Sequence, residues 1–412
     1  MTIPLSVLDL SPVPAGGTPG DALRNSIDLA RAAERSGYQR FWVAEHHLNT
    51  GVASSSTPVL VGLIAAATER IRVGSGAVQM PNTRPLQVAE QFGTVAAVHP
   101  GRVDIGLGRF DLHKILRLIE KGRAAAASDG GGPPPQTPAP RVVDGLLVPS
   151  PGRVAGDLSL FGALGALLGF HAEDPPPDYR EQVVDVLSYF DGTAVRPDGQ
   201  PLHVLPAEGA DVEFVVLGSS PGTSANVAGE LGLPFAASYH TVPHAVLDAV
   251  AAYRAAFRPG RVPRPHVLIS ADVVVAPDDD TARELAAPYG QWVLDIRTGR
   301  GARPYVTPSE ARAREWSDAE RAGVADRIST QFVGSPATVA DQLETLARAT
   351  GADELLITTI TTEHSDRIRS HELLAREWAA RSATGAPAGA PAGAPTGPPA
   401  DGSPVIDAHA HG

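Results

Sequence analysis

Two adjacent histidines follow a short apolar run, in the order Ala44-Glu45-His46-His47. An imidazole titrates near neutral pH, so either ring can move a proton or hold a hydrogen bond to a bound molecule. Neighbours on an extended chain point to opposite sides, so this triplet does not make the chelating face of an i, i+4 pair on a helix. Acid–base or hydrogen-bonding chemistry by one of the two histidines is the expectation; a solvated loop histidine is the plain alternative. Tyr239-His240 follows another apolar run. That places His240, with Glu45, as a candidate for the substrate side of a pocket. At the C-terminus, Asp407-Ala408-His409-Ala410-His411 sets two histidines at alternate positions, as metal-binding strands do. Nothing follows to supply further ligands, and no metal site is expected.

Three small-residue segments each close an apolar run. Gly74-Ser75-Gly76-Ala77 permits close approach of a flat ligand to the backbone. Gly106-Leu107-Gly108-Arg109 ends on a guanidinium suited to bidentate contact with phosphate or carboxylate. Gly218-Ser219-Ser220-Pro221-Gly222-Thr223-Ser224 precedes an Ala-rich helical pattern, so its hydroxyls and the free N–H groups of the helix start make a phosphate cradle. A tight turn, a surface ion pair and an ordinary helix cap are the respective alternatives. Arg109 and the Ser219 loop end consecutive strand-like runs and reach one corner, which favours the phosphate reading.

These segments need a frame that brings strand ends together. Strand-like runs occur at Ile3–Leu10, Arg40–Ala44, Ile71–Ser75, Val103–Leu107, Val212–Leu217, Phe235–Ser238, His266–Val275 and Glu354–Thr358. Helical patterns lie between them at Asp21–Ser36, Pro58–Thr68, Leu86–Val98, Asp178–Phe190, Ser224–Leu231, His244–Phe257, Asp278–Ile296 and Pro336–Thr350, with a last helix at Ser365–Arg381. Gly37, Gly232 and Gly351 stand where helices hand over to strands. Alternation of this kind implies parallel strands and right-handed crossovers. Eight strands suit a TIM (β/α)8 barrel better than an open doubly wound sheet, and such barrels carry their chemistry at the C-terminal strand ends. Insertions fall at about 111–211, after strand four, and at about 297–329, after the strand-seven helix. The barrel domain is expected to span residues 1–382.

Composition removes other classes. The 412 residues carry 34 Lys plus Arg against 46 Asp plus Glu, a formal charge of -12, so no broad basic field draws nucleic acid or an anionic membrane. With no cysteine there is no disulfide, thiolate catalysis or Cys-ligated metal. No uninterrupted apolar run of about 18 residues occurs, and the N-terminus lacks a basic stretch before its apolar run, so a cytoplasmic protein is expected. Gly (42) and Pro (38) concentrate partly in residues 128–140 and 383–412. The first reads as a mobile loop and the second as a disordered Pro/Gly/Ala tail.

The segments WVAEHH, TERIRVGSGAVQMPNTRPLQVAEQF, HPGRVDIGLGR, VLGSSPGTSANVAGELGLPFA and FVGSPATVADQLETLARATGADELLI together resemble the bacterial luciferase-like flavin-dependent monooxygenases, from Ile3 to about Trp378. The resemblance implies a TIM barrel that binds reduced FMN and reacts it with O2 to a C4a-peroxide. It implies that His46 matches the active-site histidine, that Gly76 and Ala77 match a pair joined by a cis peptide under the flavin ring, and that Arg109 and Ser219 bind the flavin phosphate. Ser220 and Thr223 are neighbours in the same loop. Homodimerisation is common in the family. No G-x-G-x-x-G follows a strand, which points to a separate NAD(P)H:flavin reductase. A deazaflavin (F420)-dependent oxidoreductase of the same barrel, a non-catalytic flavin binder and a metal-dependent hydrolase are the rivals. Two stretches depart from the family pattern. Phe110–Leu116 reads as the immediate start of a helix, and Val142–Phe170 is either a lid over the pocket or packing against the barrel.

Overall fold

The computed structural model describes residues 3–110, 112, 115–117, 119, 138–152, 156–170, 173 and 175–384. Residues 128–137 of the expected loop, 385–412 of the expected tail, and much of the expected helix start after Phe110 lie outside the described residues. In chain order the strands begin with β1 (Leu5–Asp9), β2 (Arg40–Val43), β3 (Arg72–Ser75), β4 (Val78–Gln79), β5 (Val103–Gly108) and β6 (Arg141–Val143). They continue with β7 (Leu146–Val148), β8 (Val212–Gly218), β9 (Phe235–Ser238), β10 (Val267–Val275), β11 (Phe332–Gly334) and β12 (Glu354–Thr358).

Eight of these close into a barrel in the order β1-β2-β3-β5-β8-β9-β10-β12 and back to β1, every neighbouring pair parallel. They are the eight strands expected from the sequence. Period-two alternation explains why short runs suffice. Val7, Phe41, Val43, Ile105, Phe214, Phe235, Ile269 and Ile357 face outward into one core cluster with the helices. Leu8, Trp42, Val215, Ala236, Leu268 and Leu356 face inward and fill the barrel.

Charged side chains close the N-terminal end of the barrel. Arg40 reaches Glu354 at 2.9 Å, Asp104 at 3.0 Å and Glu213 at 2.7 Å. Arg72 adds a 2.6 Å contact to Asp104, whose carboxylate also accepts the Trp42 indole N–H at 2.8 Å. Burial opposes the Arg40 charge, but the three carboxylates raise its pKa above the ordinary value and keep it ionised.

Helices α1 (Pro19–Arg35), α2 (Thr57–Ala67) and α3 (Pro85–Val98) follow the first strands. Thr18 and Asp21 form a reciprocal capping box that starts α1. Later come α4 (Ser159–Leu168), α5 (Tyr179–Asp191), α6 (Thr223–Glu230), α7 (Val246–Ala256), α8 (Asp279–Ala286) and α9 (Tyr289–Arg297). The series ends with α10 (Pro308–Ala313), α11 (Asp318–Ile328), α12 (Pro336–Thr350) and α13 (His364–Thr384). Gly37, Gly232 and Gly351 hold φ of 83°, 60° and 60°, the left-handed turn that ends each preceding helix.

One expectation needs correction. The single helix read at Asp278–Ile296 is two, α8 and α9, because Pro288 between them lacks an amide hydrogen and clashes with the preceding turn. The first long insertion contains a two-stranded antiparallel hairpin, β6–β7, turning on Asp144-Gly145 with φ of 50° and 85°. The second insertion folds into α10 and α11. No helix among the described residues is long and apolar enough to cross a membrane.

Candidate active site

A cavity of about 470 Å3 opens at the C-terminal end of the barrel. Its lining brings together Glu45, His46, Gly76, Ala77, Arg109, Ser219, Ser220, Thr223 and His240, every residue singled out from the sequence as catalytic, cofactor-binding or pocket-lining. The parallel strands require this convergence: each segment leaves a strand at the same end of the barrel.

One end of the cavity suits an anion. Arg109 follows β5, and Ser219, Ser220 and Gly222 link β8 to α6. The α6 N-cap is Gly222 at φ 139°, with no side chain capping the helix, so the N–H groups of its first turn have no side-chain acceptor. Tyr179, at the start of α5, lies close enough to feel the Arg109 charge and the Ser224 hydroxyl, and donates its own hydroxyl to the Leu107 carbonyl at 2.8 Å. Burial raises its pKa, so the phenol stays protonated. Tyr179 sits in an insertion and carries no motif that would single it out.

The middle of the cavity is flat and small. The Gly76-Ala77 peptide is cis, and the Gly76 N–H donates to the Val43 carbonyl at 2.8 Å. A Cβ at Gly76 would lie 2.6 Å from Leu8 Cδ1 and 3.3 Å from Trp42. A side chain here would have to push the end of Leu8 aside, so glycine keeps the loop after β3 close to the barrel interior.

The other end carries two imidazoles. The His46 backbone N–H is fixed by the Ser54 carbonyl at 2.8 Å, while its Nδ1 is buried without a hydrogen-bonding partner among the described residues. Burial, and then the neighbouring His47, hold its pKa down at about 4. His240 Nδ1 pairs with Ser270 Oγ at 2.6 Å and Ser238 Oγ at 3.1 Å. Burial, then Arg327 and His46, hold its pKa at about 3. Both rings are neutral at neutral pH. Glu45 points away from this pair: its carboxylate meets His47 Nε2 at 2.9 Å and its carbonyl accepts from Gln79 at 2.8 Å, tying the β2 loop to β4. Among the described residues no three His, Asp or Glu side chains gather as a metal-ligand set, and His409 and His411 lie outside them.

A second space of about 320 Å3 adjoins the first and shares Glu45, His46, Gln79, Phe110 and His240 with it. Leu160, Phe161 and Leu164 of α4 and Trp292 and Ile296 of α9 form its apolar wall. The two readings of Val142–Phe170 are thus both realised: α4 covers the pocket, whereas Leu146 of the hairpin joins the core behind the strands. Asp272 and Arg327 also line this slot, paired at 3.1 Å and joined by the Tyr289 hydroxyl. Sequence reading passed over all three. Asp272 had a signal, a carboxylate at an inward position of a mostly apolar strand; Arg327, on an inserted helix, had none.

The sequence profile described as luciferase-like monooxygenase matches residues 3–120 and 179–354. The uncharacterized protein YvbT of Bacillus subtilis is 37% identical over 381 residues, covering 92% of this chain and 97% of that protein. A luciferase-like monooxygenase of Escherichia coli K12 is 33% identical over 374 residues, covering 90% and 96%. Among solved structures, apo-MsnO8 matches with a TM-score of 0.70 at 30% identity, covering 92% of this chain and 98% of its own. The fold is also that of the oxygenating constituent of 3,6-diketocamphane monooxygenase from Pseudomonas putida in complex with FMN, with a TM-score of 0.60 at 16% identity and coverage of 92% and 99%. It is equally that of an F420-dependent secondary alcohol dehydrogenase, with a TM-score of 0.56 at 15% identity and the same coverage. The chain belongs to the luciferase-like monooxygenase family.

Proposed function

We propose that the protein takes reduced FMN from a separate NAD(P)H:flavin reductase in the cytoplasm and uses it with O2 to oxidise a small organic substrate. One observation carries this reading: a single cavity has an anion-binding end at Arg109 and α6, a small flat middle at Gly76 and Ala77, and a neutral imidazole with an unpartnered nitrogen at the far end. A flavin mononucleotide has the matching sequence of parts, a phosphate, a planar ring and a reacting edge. When bound, the reduced cofactor supplies the electrons for oxygen activation.

Arg109, Ser219, Ser220, Thr223 and the first N–H groups of α6 hold the phosphate. Gly76 and Ala77 give the ring a wall with a single methyl group. His46, neutral and with a free Nδ1, holds or passes a proton at the reacting edge. Glu45 positions the β2 loop, and His240 faces the substrate side. The apolar wall of α4 and α9 keeps water from the junction of the two spaces. Exposed Val59 and Leu63 on α2 suit a homodimer contact, which light scattering would show as twice the chain mass.

Anaerobic titration with reduced FMN and, separately, with reduced F420, followed by rapid mixing with O2, tests the assignment. Tight binding of FMN and an oxygen-dependent optical transient support it. Preference for F420 with hydride transfer and no oxygen incorporation makes the protein a deazaflavin oxidoreductase, and FMN binding without any oxidised product makes it a carrier.

A further inference from the structure

Among the described residues the slot beside the cofactor cavity has one permanent cation, Arg327, and one edge of its guanidinium makes no bond within them. The side chain is 9% exposed. Its Nε donates to the Tyr289 hydroxyl at 3.1 Å, and its Nη2 reaches Tyr289 at 2.7 Å and Asp272 at 3.1 Å. Among the described residues Nη1 has no hydrogen-bonding partner, and Arg327 lines the slot. A buried guanidinium with one edge of its donor fork open to a cavity is incomplete without an acceptor in that cavity.

The guanidinium charge favours an anion as that acceptor. Burial opposes the Asp272 charge, and Tyr289 shares that carboxylate, so Asp272 does not use the whole guanidinium. His240 and His46 are neutral, so neither offers a competing positive charge, and the slot's other carboxylate, Glu45, is engaged with His47. Opposite this polar floor the wall is Phe161, Leu164, Trp292 and Ile296. The volume of about 320 Å3 suits a small molecule.

We propose that this slot binds a small organic monocarboxylate, its carboxylate on Arg327 and its apolar body against Phe161 and Trp292. The carboxylate then anchors the molecule at one side while the apolar body extends toward His46, where the slot joins the cofactor cavity. That atoms of the apolar body, and not of the carboxyl group, are the ones oxidised rests on the flavin reading above; the binding mode does not.

The probe is 4-phenylbutanoate against its methyl ester and against 4-phenylbutylamine, with affinities measured calorimetrically on the full chain in the presence of FMN. The acid is expected to bind at least tenfold more tightly than the ester, and the amine more weakly than either. Asp272→Asn removes the anion nearest to Arg327 and should tighten the acid several-fold while leaving the ester unchanged, which a merely structural role for the pair would not produce. The double variant Arg327→Met/Asp272→Asn, which avoids an unpaired buried charge, should erase the preference for the acid. Phe161→Ala should weaken acid and ester by the same factor. Equal binding of acid and ester, no binding of either, or a preference for the acid that survives the double variant overturns the proposal. A titration with FMN on the same sample separates the two readings: acid preference without FMN binding overturns only the flavin assignment, and FMN binding without acid preference overturns only the carboxylate slot.

Discussion

His46 combines three properties: a backbone N–H anchored on Ser54, a buried Nδ1 with no partner among the described residues, and a pKa near 4. A ring held neutral is available as a proton acceptor across the ordinary pH range. Replacing it by alanine should lower kcat by roughly 10²–10⁴ with FMN affinity within twofold; unchanged turnover would remove its catalytic role. Because the ring is already neutral, turnover of the unaltered protein should show no step near pH 6.5 assignable to His46, a point that a pH profile compared with that of His46→Ala decides. Arg109→Ala acts at the other end. Loss of a charged hydrogen bond to phosphate should raise the FMN dissociation constant roughly ten- to hundredfold, with kcat at saturating FMN close to the original. Both residues are legible in the sequence because each stands directly after a recognisable strand. Arg327 is not legible, since its place beside Asp272 depends on how an inserted helix folds back over the barrel.

At the scale of elements, small residues at the strand ends decide how closely strands and loops approach. A Cβ on Gly106 would sit 2.0 Å from the Ser75 carbonyl oxygen, an atom of the neighbouring backbone that cannot rotate aside. Gly106→Ala should therefore cost about 3 kcal/mol, read as a lowered urea midpoint, and should loosen FMN binding because Arg109 shifts with its strand. The eight barrel strands are readable because outward residues such as Phe41 and Ile269 recur beside inward ones such as Trp42 and Leu268 with period two. Amphipathic period and Gly stops likewise mark α1 and α12. Signals of one or two residues are easier to miss: Pro288 divides α8 from α9, and Asp144-Gly145 between apolar pairs is a hairpin turn. The walls of the slot come from these less regular pieces, which is why the cavity at the strand ends is read from sequence more completely than its neighbour.

Across the whole molecule, buried histidines couple stability to acidity. His46, His240 and His371 are held near pKa 4, 3 and 3, chiefly by burial. Their unfolded counterparts titrate near 6.5, so below that pH the unfolded chain binds protons that the folded one does not. Stability is then full above pH 6.5 and falls as pH drops toward the folded values. Each ring contributes at most about 2 kcal/mol of loss between pH 6.5 and 5, and His371→Gln should flatten that slope by its share in urea unfolding at the two pH values. The opposite pole of the barrel sets a different condition. Arg40, Asp104, Glu213 and Glu354 stopper the N-terminal end with interlocked charges, so the described cavity opens at the opposite pole. On the proposed function, flavin and substrate would both enter from that pole, so an excess of substrate over reduced flavin should slow the enzyme instead of saturating it, which initial rates at rising substrate would show.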